Sequence, residues 1–465
     1  MDLVSLSRLQ FALTTIYHFF FVPLTLGLGW FVAILETMYV RSGNPLYKRL
    51  TKFWGKLFLI NYAMGVVTGI VMEFQFGMNW SEYSRFVGDV FGAPLAIEGI
   101  LAFFLESTFI GVLIFGWERL SKKLHAATIW LVAFGANMSA FWILVANGFM
   151  QNPVGYVINN GRAEMVDFGA ILLNPRAWFL FIHAISSGFV TAAFLVLGFS
   201  AYHLHRRKEI DGFRISFKLA AIIGLLATIA TVVTGHAQGL YLREVQPMAA
   251  AASEAHYDTQ DPADFSVIAF FDSTGKKEVW SIKIPKALSF LYNFKPFGKV
   301  EGINQLQAQY EKEYGPGDYI PVVALSYWTF RLMVAIGFLM VLLASIALFI
   351  SIKKYPARWT RHLRWFIPAI FLPYIANTSG WILTESARQP WVVNGLMKTK
   401  DAVSPNLTVT SLWISLIGFV VVYAILMGFD LYLILKFAKK GLEPEDTVST
   451  TVAEGVHSES TGELL

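Results

Sequence analysis

Residues 10–38 read QFALTTIYHFFFVPLTLGLGWFVAILETM, and the fold turns on whether this stretch is a signal peptide or a membrane span. It is too long for the apolar part of a cleavable signal, follows a single Arg, and carries His18 and Pro23 in its middle. It therefore reads as a first transmembrane helix. A hydrocarbon core about 30 Å thick takes roughly 20 apolar residues in helix. Eight further segments of the 465-residue chain are long enough: 56–77, 94–117, 126–149, 177–202, 215–240, 322–352, 363–385 and 409–436. Apolar residues make up 55% of the chain and charged ones 15%, and the apolar ones fall in long blocks. The expected fold is an all-α polytopic membrane protein with nine transmembrane helices.

The net charge of +5 is no nucleic-acid signal, because Lys and Arg gather at alternate loops. The loops after spans 1, 3, 5 and 7 are basic, with Arg41, Lys48 and Arg49 in the first, Lys122 and Lys123 in the second, Arg206 and Arg207 in the third, and Lys354 and Arg358 in the fourth. Loops on the other side are poorer, which predicts the N-terminus outside and the C-terminus inside. The chain divides into spans 1–6 over residues 1–240, an extracytoplasmic loop over 241–321, spans 7–9 over 322–440, and a Ser/Thr- and Glu-rich cytoplasmic tail over 441–465. Such a tail is expected to be disordered. Within the long loop, Phe265–Phe271 and Glu278–Ile284 alternate apolar and polar residues around Asp272-Ser273-Thr274-Gly275, the pattern of a β-hairpin. Residues Ile303–Tyr314 predict a short polar helix. No internal repeat is strong enough to argue an inverted-repeat transporter.

Ionisable residues inside a span are functional candidates, because a charge at the bilayer centre costs several kcal/mol. With about 1.5 Å of rise per residue, His18, Glu98, His183, Arg331 and Glu385 all fall in the outer half, as do Met333 and His236. Glu106 lies roughly 12 Å deeper than Glu98 on the same span. Taken singly, each has an ordinary explanation: a hydrogen-bonded core histidine, a Met filling a gap, a carboxylate reaching the interface to pair with Arg388. Their common depth is what calls for another. The chain has no cysteine, which excludes disulfides, iron–sulfur clusters, thiolate-held metals and covalently attached haem. Two His, one Met and several carboxylates suit haem irons, and the same buried Glu and His also suit a proton or ion path without any cofactor.

The runs Ser7-Arg8-Leu9-Gln10-Phe11, Tyr17-His18-Phe19, Met72-Glu73-Phe74-Gln75-Phe76-Gly77, Pro94-Leu95-Ala96-Ile97-Glu98-Gly99, Phe104-Leu105-Glu106-Ser107-Thr108, and Gly380-Trp381 through Arg388-Gln389-Pro390-Trp391 closely resemble subunit I of the cytochrome bd quinol oxidases. The likeness covers about residues 1–440. It implies a haem-bearing catalytic subunit that oxidises ubiquinol or menaquinol at the outer face and reduces molecular oxygen to water with cytoplasmic protons. The implied setting is the cytoplasmic membrane of a prokaryote, with subunit II and small single-span subunits as partners.

By the same resemblance, His183 and Met333 are the axial pair of a low-spin haem b, with Arg331 near its propionates. His18, Glu98 and Glu385 are ligands around a high-spin haem b and haem d, with Arg388 among the cofactor-binding residues and Trp381 between haems. Glu106, Ser107 and Ser139 form a proton relay. Gln246 and Glu254 belong to a quinol loop of the short type, with Glu254 accepting a quinol proton. Alternatives are a relative with haem b in place of haem d, of the cyanide-insensitive type, or a non-haem ion transporter. Three positions depart from the family pattern: Ala249 stands where Lys is usual, Ala387 where Gly is common, and Met78 where Thr is common.

Overall fold

The computed structural model describes residues 2–353 and 361–444. Among them nine helices are long and apolar enough to cross a membrane: span 1 (Leu3–Ser42), span 2 (Pro45–Met78), span 3 (Ser81–Phe115), span 4 (Lys122–Gln151), span 5 (Phe168–His205), span 6 (Ile210–Val245), span 7 (Val323–Ile352), span 8 (His362–Ala387) and span 9 (Val409–Lys440). All nine segments read from the sequence are found. Most run a turn or more past the apolar stretch, because capped polar turns continue the helix outside the hydrocarbon. Asp2 caps span 1 by accepting from the Ser5 N–H, Asn44 precedes Pro45 at span 2, and Thr408 forms a capping box with Ser411 at span 9. Lys354 and Arg358, and the tail from residue 445, lie outside the described residues.

Span 1 is central and packs on spans 2, 4, 5 and 9. Its crossing with span 5 needs bare backbone: a Cβ on Gly27 would lie 2.3 Å from the Gly188 carbonyl oxygen. Ion pairs Lys48–Glu118, Arg49–Glu209 and Lys56–Glu443 gather the loops after spans 1, 3 and 5 and the end of span 9 at one end of the bundle. That half is a solid plug around Phe31, Trp54, Phe58, Phe213 and Phe217. The other half is hollow and holds the candidate site.

Two spans are irregular. In span 3 a π-helical stretch, Glu98–Phe103, interrupts the α-helix. Eight residues of regular helix would turn Glu106 about 80° away from Glu98, and the wider turns reduce that offset. Span 8 begins with two 3₁₀ stretches, Arg361–Phe366 and Pro368–Phe371, before Leu372–Ala387, where Pro368 and Pro373 lack the N–H a regular helix would use.

The long loop holds the hairpin β3 (Phe265–Phe271) and β4 (Glu278–Ile284), antiparallel with Phe265 opposite Ile284, and the helix Ile303–Tyr314, both as read from the sequence. It also holds the unforeseen helices Pro247–Glu254 and Ala287–Asn293. Two further small hairpins, β1–β2 (Tyr156–Asn159, Arg162–Met165) and β5–β6 (Trp391–Val393, Met397–Lys398), close other loops at the hollow end.

Candidate functional site

The hollow half contains a cavity of about 840 Å³. His18, Glu98, Glu106, Ser139, Trp381 and Glu385 all line it, with Arg388 at its edge, so four different spans bring these residues together. The His18 Nδ1 lies 2.9 Å from Thr68 Oγ1, while Gly69 leaves room beside the ring, where a Cβ would sit 3.2 Å from Cε1. The Ser139 hydroxyl donates to Glu98 Oε1 at 2.7 Å, and Tyr62 OH donates to Glu106 Oε2 at 2.9 Å. Glu106 Oε1 is buried without a partner. Trp381 meets Phe19 edge-on at 5.3 Å between centroids. Glu385 pairs with Arg388, whose Nε is also buried without a partner.

A second centre forms where spans 5, 6, 7 and 8 meet. His183 Nδ1 lies 3.1 Å from Thr234 Oγ1, and a Cβ on Gly235 would come within 3.1 Å of its Cε1. Met333 presents its sulfur to Gly380, where a Cβ would lie 3.1 Å from Sδ. At the start of span 5 Arg176 is fully buried; its Nε and Nη2 donate to Gln151 Oε1 at 2.9 and 2.6 Å, and its Nη1 has no partner. Gln246, from the long loop, donates to the Gln151 carbonyl at 2.8 Å.

Arg331 ties this centre to the loop. Its Nη2 donates to Glu254 at 2.6 Å and to the Ser266 carbonyl of β3 at 2.7 Å, and its guanidinium lies over the Phe265 and Tyr327 rings at 4.4 and 4.5 Å. The expectation that Arg331 serves a propionate thus meets a side chain already engaged by Glu254. Glu254 also lines a second cavity of about 260 Å³, with Arg243, His256, Tyr292 and Glu301. Burial there pushes the His256 imidazole below its usual pKa, against the bond from its Nε2 to the Val300 carbonyl at 3.1 Å. Ala249 is buried on the helix Pro247–Glu254.

Ser107 is not brought to the cavity. Its side chain is exposed on the outside of span 3 and bonds back to the Phe104 carbonyl, because it follows Glu106 directly and so points about 100° away. Sequence reasoning also missed partners that only packing reveals: Tyr62, Thr68, Thr234, Gln151 and Arg176. It passed over two buried intramembrane acids at the solid end, Asp430 and Glu36, the latter paired with His125. The visible signal was present for both, since an acid inside an apolar run is legible by itself.

The donor set fits haem better than a bare metal ion. Among the described residues no three His, Asp or Glu side chains gather as a metal cage. A macrocycle instead needs one or two axial donors, a large apolar space, and cations for its acidic side groups, and the unpartnered N–H groups of Arg176 and Arg388 are buried cations of that kind.

The family model for cytochrome bd terminal oxidase subunit I matches residues 6–442. The chain is 52% identical over 442 residues to the cytochrome bd ubiquinol oxidase subunit 1 of Bacillus subtilis, covering 95% of this chain and 94% of that protein. It is 38% identical to the cytochrome bd-II ubiquinol oxidase subunit 1 of Escherichia coli, covering 98% of this chain and all of that one. The bd oxidase structure from Geobacillus thermodenitrificans superposes with a TM-score of 0.85 at 27% identity, over 94% of this chain and 99% of that chain.

Proposed function

The chain belongs to the cytochrome bd terminal oxidase subunit I family and is the quinol-oxidising, oxygen-reducing subunit of a membrane-embedded terminal oxidase, and from that premise we propose how its residues divide the work. It is a quinol:oxygen oxidoreductase and a multi-pass protein of a prokaryotic cytoplasmic membrane. Membership brings haem as cofactor. His183 and Met333 would hold a low-spin haem b. His18, Glu98 and Glu385 would hold a high-spin haem b and haem d, or a further haem b in the place of haem d. When bound, the haem irons supply electron transfer and the reduction of oxygen to water.

The N-terminus lies outside and the C-terminus inside, so the hollow half faces out with residues 241–321 above it as the quinol loop. Gln246 and Glu254 serve ubiquinol or menaquinol at this loop, and Glu254 takes a quinol proton and releases it outward. Its bond to Arg331, two residues before Met333, joins proton acceptance to the second centre. Protons for oxygen reduction come from the opposite side. Tyr62 orients Glu106 to pass them toward Ser139 and Glu98. Ser107 has no place on that line. Trp381 separates the two centres as an aromatic bridge, and Arg388 orients Glu385. Subunit II and small single-span subunits complete the complex.

The observation that carries this reading is the cavity of about 840 Å³ into which His18, Glu98 and Glu385 open from three spans. Haem extraction and reduced-minus-oxidised spectra of the assembled oxidase test it. His183→Ala should lose the low-spin b band alone, and His18→Ala a band of the other pair. Full haem content in both variants contradicts the assignment.

A further inference from the structure

We propose that Thr68 and Thr234 are positioning residues that fix the tautomer and direction of His18 and His183. The inference rests on the reading of both histidines as axial ligands. A threonine hydroxyl has one proton to donate. Each of these hydroxyls lies 2.9 or 2.8 Å from the carbonyl of the preceding turn, at Met64 and Ala230 respectively, and donates its proton there. Toward the imidazole the oxygen can then only accept. The ring atom facing it, Nδ1 in both cases, must be the N–H. A neutral imidazole carries one N–H, so Nε2 keeps the lone pair that a metal needs.

The same device is built twice. Thr68 is followed by Gly69 and Thr234 by Gly235, and each glycine leaves the space that the ring edge occupies. The histidine and threonine are 50 residues apart in the hairpin of spans 1 and 2, and 51 apart in that of spans 5 and 6. Tyr423 OH of span 9 donates to the Thr68 carbonyl at 3.0 Å, which steadies that turn. Thr228 shows the ordinary use of an intramembrane threonine, bonding back to its own helix, while Thr191 donates in the same way and accepts from the Asn377 amide at 3.1 Å, the same pattern of donating backward and accepting across helices.

Hydrogen bonding of the distal N–H raises the donor strength of the ligating nitrogen. Removing the acceptor should therefore favour the reduced iron. Potentiometric titration of the assembled oxidase, followed at each haem band, tests this with Thr68→Val, Thr234→Val and the Ser variants at both positions. Valine should raise the midpoint potential of the corresponding haem and leave the other unmoved, while serine restores the wild-type value. Unchanged potentials in the valine variants overturn the proposal. So does serine behaving like valine, because that marks a packing role. If a valine variant does not assemble, Thr68→Ala or Thr234→Ala removes the same acceptor without added bulk and should raise the same midpoint potential, and an unchanged potential counts against the proposal. His18→Ala and His183→Ala retaining all haem would instead remove the ligand assignment itself.

Discussion

The two cavities differ in who satisfies their polar groups. Around the loop cavity of about 260 Å³ the protein does so itself: Glu254 pairs with Arg331, His256 bonds to the Val300 carbonyl, and Arg243 donates to Asn293 at 3.0 Å. Around the intramembrane cavity, Glu106 Oε1 and Arg388 Nε are buried without partners, and at the second centre Arg176 Nη1 is likewise unpaired. A buried polar atom left unmade costs about 1–3 kcal/mol, more when charged. The charged groups of the loop cavity are thus paired as folded, although Asn293 Nδ2 and Glu278 Oε2 elsewhere in the loop are buried without partners, whereas the membrane cavity leaves charged groups to be met by what it binds. A complete site suits transient exchange with quinol, and an incomplete one suits a resident cofactor.

Replacements in the incomplete cavity should therefore cost more than replacements in the loop. The largest effect is expected for Glu385→Ala, which removes a proposed ligand and strands Arg388: oxygen uptake should fall to background together with one of the haem bands, measured on the purified complex. Glu106→Gln should slow turnover by about 10²-fold, the scale of a lost proton-transfer group, with the haem spectrum intact. Loss of haem in that variant would move Glu106 from relay to scaffold. In the loop, Glu254→Gln should reduce quinol oxidation by about 10-fold, less than the usual loss of an acid–base group, and leave haem content whole. An equal loss of haem would erase the contrast between the cavities.

The smallest effect concerns His256. Its folded-state pKa is lowered, so the neutral ring stabilises the loop above the ordinary imidazole pKa, and that contribution fades as pH falls below it. Protection against hydrogen exchange around residues 246–260, taken relative to the unstructured rate at each pH, should fall as the pH drops below about 6.5, while the spans stay protected. Protection that does not change with pH there would contradict the burial argument.

The spans were legible because hydrocarbon thickness sets a length that the apolar runs meet, and the β3–β4 hairpin because alternation and a Gly-containing turn survive in sequence. The small hairpins were not, since β5–β6 is held by a few residues with no alternation to read. Within the site, the ionisable residues announced themselves by depth. Their partners did not: Tyr62 meets Glu106 from another helix, and Arg176 meets Gln151 across 25 residues, pairings that follow from packing rather than spacing. Ser107 shows the converse, since adjacency in sequence turned it away from the group it was expected to serve.

The central claim is that the unfilled polar groups of the membrane cavity mark a resident haem pair working on electrons from the loop. It is tested most directly by measuring haem content and the reduced-minus-oxidised spectrum of the assembled oxidase together with quinol-dependent oxygen uptake. The account predicts three haems per complex, with low-spin and high-spin bands and uptake that stops when His18 or Glu385 is replaced. A complex that carries only the low-spin haem yet consumes oxygen at the full rate would contradict it.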